Sequence, residues 1–213
     1  MILVTGASGL VGKAVLSELT ALRAGPLRAI YRDQKDRAAL PAAVEGVKAD
    51  FSDAASLDAA LKSVTAAYLV CAAIPQLVEL ETNFLLACQR AKTPHVVIQS
   101  ALGAGDFDKS FPSWHRKVED KARALGIPCT IVRPNGFMQN VATYFSGTIK
   151  SQDCFYDGLG KARIAQIDVR DIAAVVAKAL TSPQTIGQIF ELNGPQPPSK
   201  KPKRSSKIIS SSS

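Results

Sequence analysis

The chain has 213 residues, 46% apolar and 21% charged, the makeup of one soluble globular domain with at most a small appendage. No run approaches the ~18 apolar residues of a membrane span, and the chain does not open on a basic segment followed by a long apolar one, as a secretory leader does. The net charge of +8 looks like a polyanion binder's, but Lys200, Lys201, Lys203, Arg204 and Lys207 lie in an acid-free tail; the preceding body carries only +3, little reason to expect a nucleic-acid face.

The first stretch is an apolar strand, Ile2-Leu-Val4, that runs into Gly6, Gly9 and Gly12 at GxxGxxG spacing and then into a helical run over residues 13–22. Strand, glycine turn and helix is the order a dinucleotide pyrophosphate needs. The first glycine permits a tight turn, the second lets the backbone approach the phosphates, and the third allows helix to pack closely on strand. The helix N-terminus adds free N–H groups and a partial positive charge. Leu27-Arg-Ala-Ile-Tyr31 reads as the second strand, with Arg32-Asp33-Gln34-Lys35 at its end, where such folds hold the adenosine ribose. Arg32, with Lys35 close by, favours the 2′-phosphate of NADP(H). Asp33 could instead reach a ribose hydroxyl of NAD(H), and a plain solvated turn is the third reading. NADP(H) is the favoured cofactor, NAD(H) the alternative.

Residues 44–50 read as a third strand ending in an acid, residues 52–61 as a capped helix, and residues 66–73 as a buried fourth strand. A helix near 78–91 follows, then a fifth strand over 95–100 that ends in Ser100, a helix over about 114–125, and a sixth strand, Cys129-Thr-Ile-Val-Arg-Pro134. This alternation predicts an α/β fold with a doubly wound parallel sheet. Beyond Asn135 the rhythm loosens, with Phe137, Met138, Tyr144, Phe155 and Tyr156 among polar residues. Residues 165–180 read as a short strand leading to an apolar helix, and residues 188–192 as a last strand. From Pro195 the chain turns proline-, lysine- and serine-rich and is expected to be disordered. Cys71, Cys88, Cys129 and Cys154 are scattered without a C-x-x-C pair, which suits a reduced, cytoplasmic protein with no metal site and no disulfide framework.

Taken together, these pieces resemble the atypical short-chain dehydrogenase/reductases, and within them the NmrA-like NAD(P)-binding branch that includes NAD(P)H:quinone oxidoreductases. The matching segments are Thr5-Gly-Ala-Ser-Gly-Leu-Val-Gly12, Arg32, Ala49-Asp50, Ala72-Ala73, Ser100, Gly126-Ile-Pro-Cys-Thr-Ile-Val-Arg-Pro134 and Ile167-Asp-Val-Arg-Asp-Ile172. The resemblance covers residues 1 to about 194. It implies a Rossmann-type domain over 1–150, with 165–192 packing partly back on it, and a small, incomplete C-terminal substrate lobe over 135–194. It also implies a cofactor cradle at Gly6, Ser8, Gly9, Leu10, Val11 and Gly12, and a 2′-phosphate contact at Arg32. Asp50 and Phe51 would face the adenine, Cys71, Ala72 and Ala73 would form a wall, and Pro134 and Asn135 would complete the cofactor set. Relatives usually continue past residue 195, so a shortened chain with a pocket open on one side is expected.

One departure bears on chemistry. The catalytic families place a Tyr-x-x-x-Lys pair at the start of the helix before the sixth strand, the Tyr donating a proton to the substrate. Here the Tyr position falls on Phe111 and the Lys position on His115, and His115 with Glu119 looks like the His-x-x-x-Glu of quinone-reductase-like members. Phe donates no proton, so phenol-based carbonyl reduction or epimerisation is not expected. His115 would hold the ribose or supply a proton with a pKa near neutrality, or it is merely a helix-surface histidine. Ser100 either lines the nicotinamide site or caps its strand. Cys71 is expected as a small core residue rather than a redox centre. Phe137 and Met138, just past the sixth strand, are the substrate-pocket candidates, ahead of Trp114, Tyr144 and Phe155. The expected function is hydride transfer from NADPH to a quinone or similar planar acceptor. The alternative is a non-catalytic sensor of the NADP state that acts through a protein partner, with a homo-oligomer also open.

Overall fold

The computed structural model describes residues 1–104, 111–154 and 165–195. The expectations for Phe155, Tyr156 and the tail beyond Pro195 fall outside the described residues. The strands are β1 (Ile2–Val4), β2 (Leu27–Tyr31), β3 (Val44–Lys48), β4 (Ala66–Leu69), β5 (Val96–Gln99), β6 (Cys129–Pro134) and β7 (Ile189–Leu192), all parallel in the order β3-β2-β1-β4-β5-β6-β7. The first six follow the order of dinucleotide-binding sheets, which reverses direction between β1 and β4. The helices are α1 (Leu10–Ala21), α2 (Gln34–Ala38), α3 (Ala54–Ala60), α4 (Leu77–Arg90), α5 (Phe111–Ala124), α6 (Ser146–Gln152) and α7 (Val169–Leu180), with a π-helical turn over Val141–Phe145 leading into α6. Among the described residues no helix is long and apolar enough to cross a membrane.

Both faces of the sheet are covered, which is why the strands read as unbroken apolar runs. Ile2, Val4, Tyr68, Val97 and Val132 join Val15 and Leu19 of α1 and Ile172 and Val176 of α7 in one core layer. Their neighbours Leu3, Leu69, Val96, Ile98 and Ile131 enter the opposite layer with Leu57 of α3, Phe84 and Leu85 of α4 and Val118 of α5. Successive residues thus serve opposite layers, as the strand period of two requires. Aspartates start three of the helices. Asp33, Asp53 and Asp168 accept backbone N–H groups at the starts of α2, α3 and α7, the usual device for satisfying orphan donors.

Two segments differ from expectation. The fourth strand stops at Leu69 rather than running to Ala73, because Thr5 draws off the next residue: Val70 N–H donates to Thr5 Oγ1 at 2.9 Å, and that hydroxyl donates back to Val70 O at 3.0 Å. The short strand expected after residue 165 is a single parallel bridge between Phe137 and Ile167. Farther on, α7 packs on α1, and β7 extends the sheet beside β6. The chain closes there tightly enough that a Cβ on Gly194 would stand 1.8 Å from Gln166 O.

One buried side chain does not belong to an apolar layer. Glu81 of α4 is completely buried beside Leu77, Phe84 and Leu85, and neither carboxyl oxygen makes a well-formed hydrogen bond. Burial raises its pKa from the ordinary 4.5 to about 8, a rise that the Cys71 backbone amide only partly offsets. The folded chain therefore keeps a proton that the unfolded chain releases between these two values, so stability falls as pH rises through that window. Glu81→Gln keeps the shape and removes the titration. Its unfolding free energy should exceed that of the parent by on the order of 3 kcal/mol at pH 8 and by little at pH 4. Denaturant unfolding at the two pH values checks this; an equal gain at both would contradict it.

Candidate functional site

The glycine turn joins β1 to α1 with backbone packed on backbone. Gly6 has φ +57°, and a Cβ there would stand 2.7 Å from Val70 Cγ1; a Cβ on Gly12 would stand 2.1 Å from Gly6 O. Neither position admits a side chain without moving the turn. Gly9 caps α1 in extended conformation, with no side-chain cap and no acid in the first turn. The N-terminal N–H groups of this twelve-residue helix therefore keep their partial positive charge uncompensated. A Cβ on Gly9 would meet Gly6 O at 3.2 Å and nothing else within 4 Å, so a side chain there, on the surface facing the site, needs the turn to give by only a few tenths of an ångström.

That surface is one wall of a cavity of about 730 Å³ at the carboxyl ends of the strands, where the sheet order reverses. One end is lined by Tyr31, Arg32, Asp36, Asp50 and Phe51, the middle by residues 6–12 and 70–74, and the other end by Ser100, Leu102, Phe111, Pro112, His115 and Phe137. Pro134, Asn135, Asn140 and Tyr144 complete the wall. The structure thus brings Gly6, Ser8, Gly9, Leu10, Val11, Gly12, Arg32, Asp50, Phe51, Cys71, Ala72, Ala73, Ser100, His115, Pro134, Asn135 and Phe137 around one space. Met138 is placed differently from Phe137. It is exposed and absent from the wall, its N–H bonded to Ile167 O beside the Phe137–Ile167 bridge, which turns Phe137 inward instead. Trp114 packs on the core layer of α3, α4 and α5 rather than on the cavity.

At the adenosine-side end, the alternative roles of Asp33 narrow. Its carboxylate accepts the Asp36 N–H at 3.0 Å as the cap of α2. Arg32 is exposed, and its charge, after the side-chain and backbone hydrogen bonds from Ser52, helps hold the Asp50 carboxyl below its usual value. Cys71 is half-buried, and burial pushes its thiol up to about 11, so it lines the cavity as an uncharged group.

The opposite end rests on a buried ion pair that the sequence did not single out. Ser100 Oγ donates to Glu119 Oε1 at 2.5 Å, and Arg133 donates to the same carboxylate from Nε at 2.9 Å and Nη2 at 2.7 Å. Arg123 adds a longer contact at 3.3 Å, and Arg133 Nη1 reaches Glu191 on β7 at 3.2 Å. Burial opposes ionisation of Glu119, but the Arg133 and Ser100 hydrogen bonds and the two arginine charges hold its pKa below the usual carboxylate value. His115, one turn earlier on α5, is buried rather than on the surface. Burial lowers its pKa to about 4 against the attraction of Glu119, so the ring is neutral at pH 7 and does not titrate near neutrality as expected. Its Nδ1 has no hydrogen-bond partner among the described residues, and its ring stands edge-to-face with Phe111 at 4.9 Å between centroids.

Residues 1–196 match the family model described as the NmrA-like family, and the chain belongs to that family. It is 32% identical over 198 residues to an NAD(P)H azoreductase of Xenophilus azovorans, an alignment that covers 92% of this chain and 68% of the relative. It is 34% identical over 213 aligned positions to a (4-alkanoyl-5-oxo-2,5-dihydrofuran-3-yl)methyl phosphate reductase of Streptomyces griseus, with the same coverage of 92% and 68%. Among solved structures, an Escherichia coli NADPH-dependent quinone oxidoreductase complexed with NADPH superposes with a TM-score of 0.83 at 25% identity, covering 92% of this chain and 70% of that one.

Within the site, the Glu119–Arg133 pair is a stability element as well as a support for Ser100. A carboxylate whose folded pKa is lowered contributes above its unfolded value and loses that contribution as pH falls through the folded one. Glu119→Gln leaves the Arg133 guanidinium half-partnered and should cost about 3 kcal/mol at pH 7. The difference from the parent should shrink below about pH 4. Denaturant unfolding over pH 3 to 7 measures it; a difference independent of pH would contradict the charged role of Glu119.

Proposed function

Proceeding from membership in the NmrA-like family, we propose that the chain is an NADPH-dependent oxidoreductase that passes hydride to a quinone or similar planar acceptor. The observation that carries the reading is the side-chain-free turn at Gly6 and Gly12, which opens the N-terminus of α1 onto the cavity at the switch point of the sheet. A pyrophosphate fits such a cradle in shape and in charge. The relatives named as NAD(P)H- or NADPH-dependent reductases support the same cofactor.

In this reading the N–H groups of Leu10 and Val11 hold the pyrophosphate, and Arg32 pairs with the 2′-phosphate. Asp50 and Phe51 border the adenine, and residues 71–73 wall the middle of the cofactor. NADPH, when bound, supplies the hydride from its nicotinamide ring. At that end Ser100 lines the cavity and donates its hydroxyl hydrogen to the Glu119 carboxylate, which leaves its oxygen free only to accept. His115 is neutral and lines the cavity; its unpartnered Nδ1 is shielded, so Nε2 is the nitrogen left for one hydrogen bond with a ribose hydroxyl or an acceptor oxygen. Phe111 stands in the place where other branches have a phenol and donates nothing.

These residues provide positioning and no strong acid, which restricts the acceptor. A quinone takes two electrons with the hydride and disperses the charge over its oxygens, so its second proton can come from solvent. Leu102, Phe111, Pro112 and Phe137 offer apolar surface to such a ring. A second reading, a sensor of the NADP state acting through a protein partner, draws on the same missing acid at Phe111.

Incubation with NADPH and a panel of quinones, following loss of nicotinamide absorbance, tests the enzyme reading. Turnover is expected, with His115→Ala slower by about tenfold or more. The rate should show no inflection from His115 between pH 6 and 8, because its pKa lies at about 4. Cofactor binding with no oxidation above the His115→Ala background would favour the sensor.

A further inference from the structure

We infer that Asp36 limits how strongly this chain can prefer NADPH over NADH. The inference rests on the reading that the cavity holds the cofactor with its adenosine beside Arg32. Among the described residues Arg32 is the only Lys or Arg in the cavity wall; Lys35 and Arg37, which the sequence places close by, do not reach it. Two carboxylates share that end with Arg32. Asp50 is turned into its own loop, accepting Ser52 N–H at 2.8 Å and Ser52 Oγ at 2.5 Å. Asp36 is different: it is half-buried in the wall, and among the described residues its carboxylate forms no ion pair.

Its placement is also fixed. Asp33 accepts the Asp36 N–H, and the Arg37 N–H donates to Asp33 O at 3.1 Å, so the first turn of α2 is held against the end of β2. A 2′-phosphate brings close to two negative charges at pH 7, whereas a 2′-hydroxyl brings none. Arg32 attracts the phosphate, and Asp36 repels it from the same wall. The hydroxyl of NADH meets no such opposition and can donate a hydrogen bond to the Asp36 carboxylate. One cation set against one free carboxylate makes a weak phosphate site, so the chain discriminates poorly between the two cofactors, and Asp36 sets the limit.

Fluorescence titration of the whole chain with NADPH, NADH, 2′,5′-ADP and 5′-ADP, in the parent and in Asp36→Asn, tests this without turnover. The parent should prefer NADPH by less than about tenfold at 0.1 M salt. Asp36→Asn should bind NADPH and 2′,5′-ADP about fivefold to tenfold more tightly, with NADH and 5′-ADP unchanged or weaker. The gain should shrink at 0.5 M salt. Unchanged thermal unfolding of Asp36→Asn shows that the variant is folded. Equal shifts for both cofactors, or none, in a parent that binds NADPH would overturn the role of Asp36 and leave the cofactor reading standing. A parent that binds neither nucleotide would overturn both.

Discussion

The contact on which the rest of the molecule depends is the one between the backbones of Gly6 and Gly12. A Cβ on Gly12 would come within 2.1 Å of Gly6 O, so the start of α1 can lie against the turn only because neither residue has a side chain in the way. That approach sets the direction of α1, and α1 carries Val15 and Leu19 into the layer shared with α7. It also decides where the N–H groups of the helix point. The same backbone geometry that lets the helix pack on the sheet therefore exposes its positive end at the mouth of the cavity.

A second constraint governs the far end of the cavity. Glu119 is buried, and it remains ionised because Arg133, Ser100 and Arg123 surround it. The pair links α5 to β6, Ser100 extends it to the end of β5, and Glu191 extends it to β7, so three adjacent strands and one helix are fixed around one carboxylate. His115 pays for its place on the same helix face with its charge: burial keeps it neutral at pH 7. Phe111 and the neutral His115 offer no phenol or imidazolium proton from this helix, and chemistry that needs only position and an apolar surface is what they favour.

The sheet was legible in the sequence because β1, β2, β4, β5 and β6 are short apolar runs bounded by turn residues, and the runs between them carry helical spacing. The glycine turn was legible because its demand is steric and leaves a spaced residue type behind. Strand ends were less so: nothing in Val70-Cys-Ala-Ala73 announces that the Thr5 hydroxyl will take the next ladder position. Arg133 and Glu81 look in sequence like ordinary strand and helix residues, and Glu119 stood out only beside His115, without its arginine partner. Their meaning depends on partners far along the chain, such as the Arg133–Glu191 contact, or on burial with little compensation, as at Glu81. Asp36 escaped for a similar reason, since a charge beside Lys35 and Arg37 in a short polar turn reads as solvated surface. Where the chain leaves β6, the neighbours Phe137 and Met138 part: Phe137 packs on the core layer and Met138 is exposed, a difference that adjacent apolar letters do not reveal.

The central claim is that the glycine turn is a nucleotide cradle. The most direct measurement is the shift in thermal unfolding midpoint caused by saturating NADPH in the parent chain and in Gly9→Val, whose added side chain stands on the cavity wall with its Cβ 3.2 Å from Gly6 O. A ligand at a hundred times its dissociation constant adds about 2.7 kcal/mol to stability, several degrees for a chain of this size. The account predicts that shift in the parent and its loss in Gly9→Val, with the two unliganded midpoints alike. No shift in the parent, or the same shift in both, would contradict it.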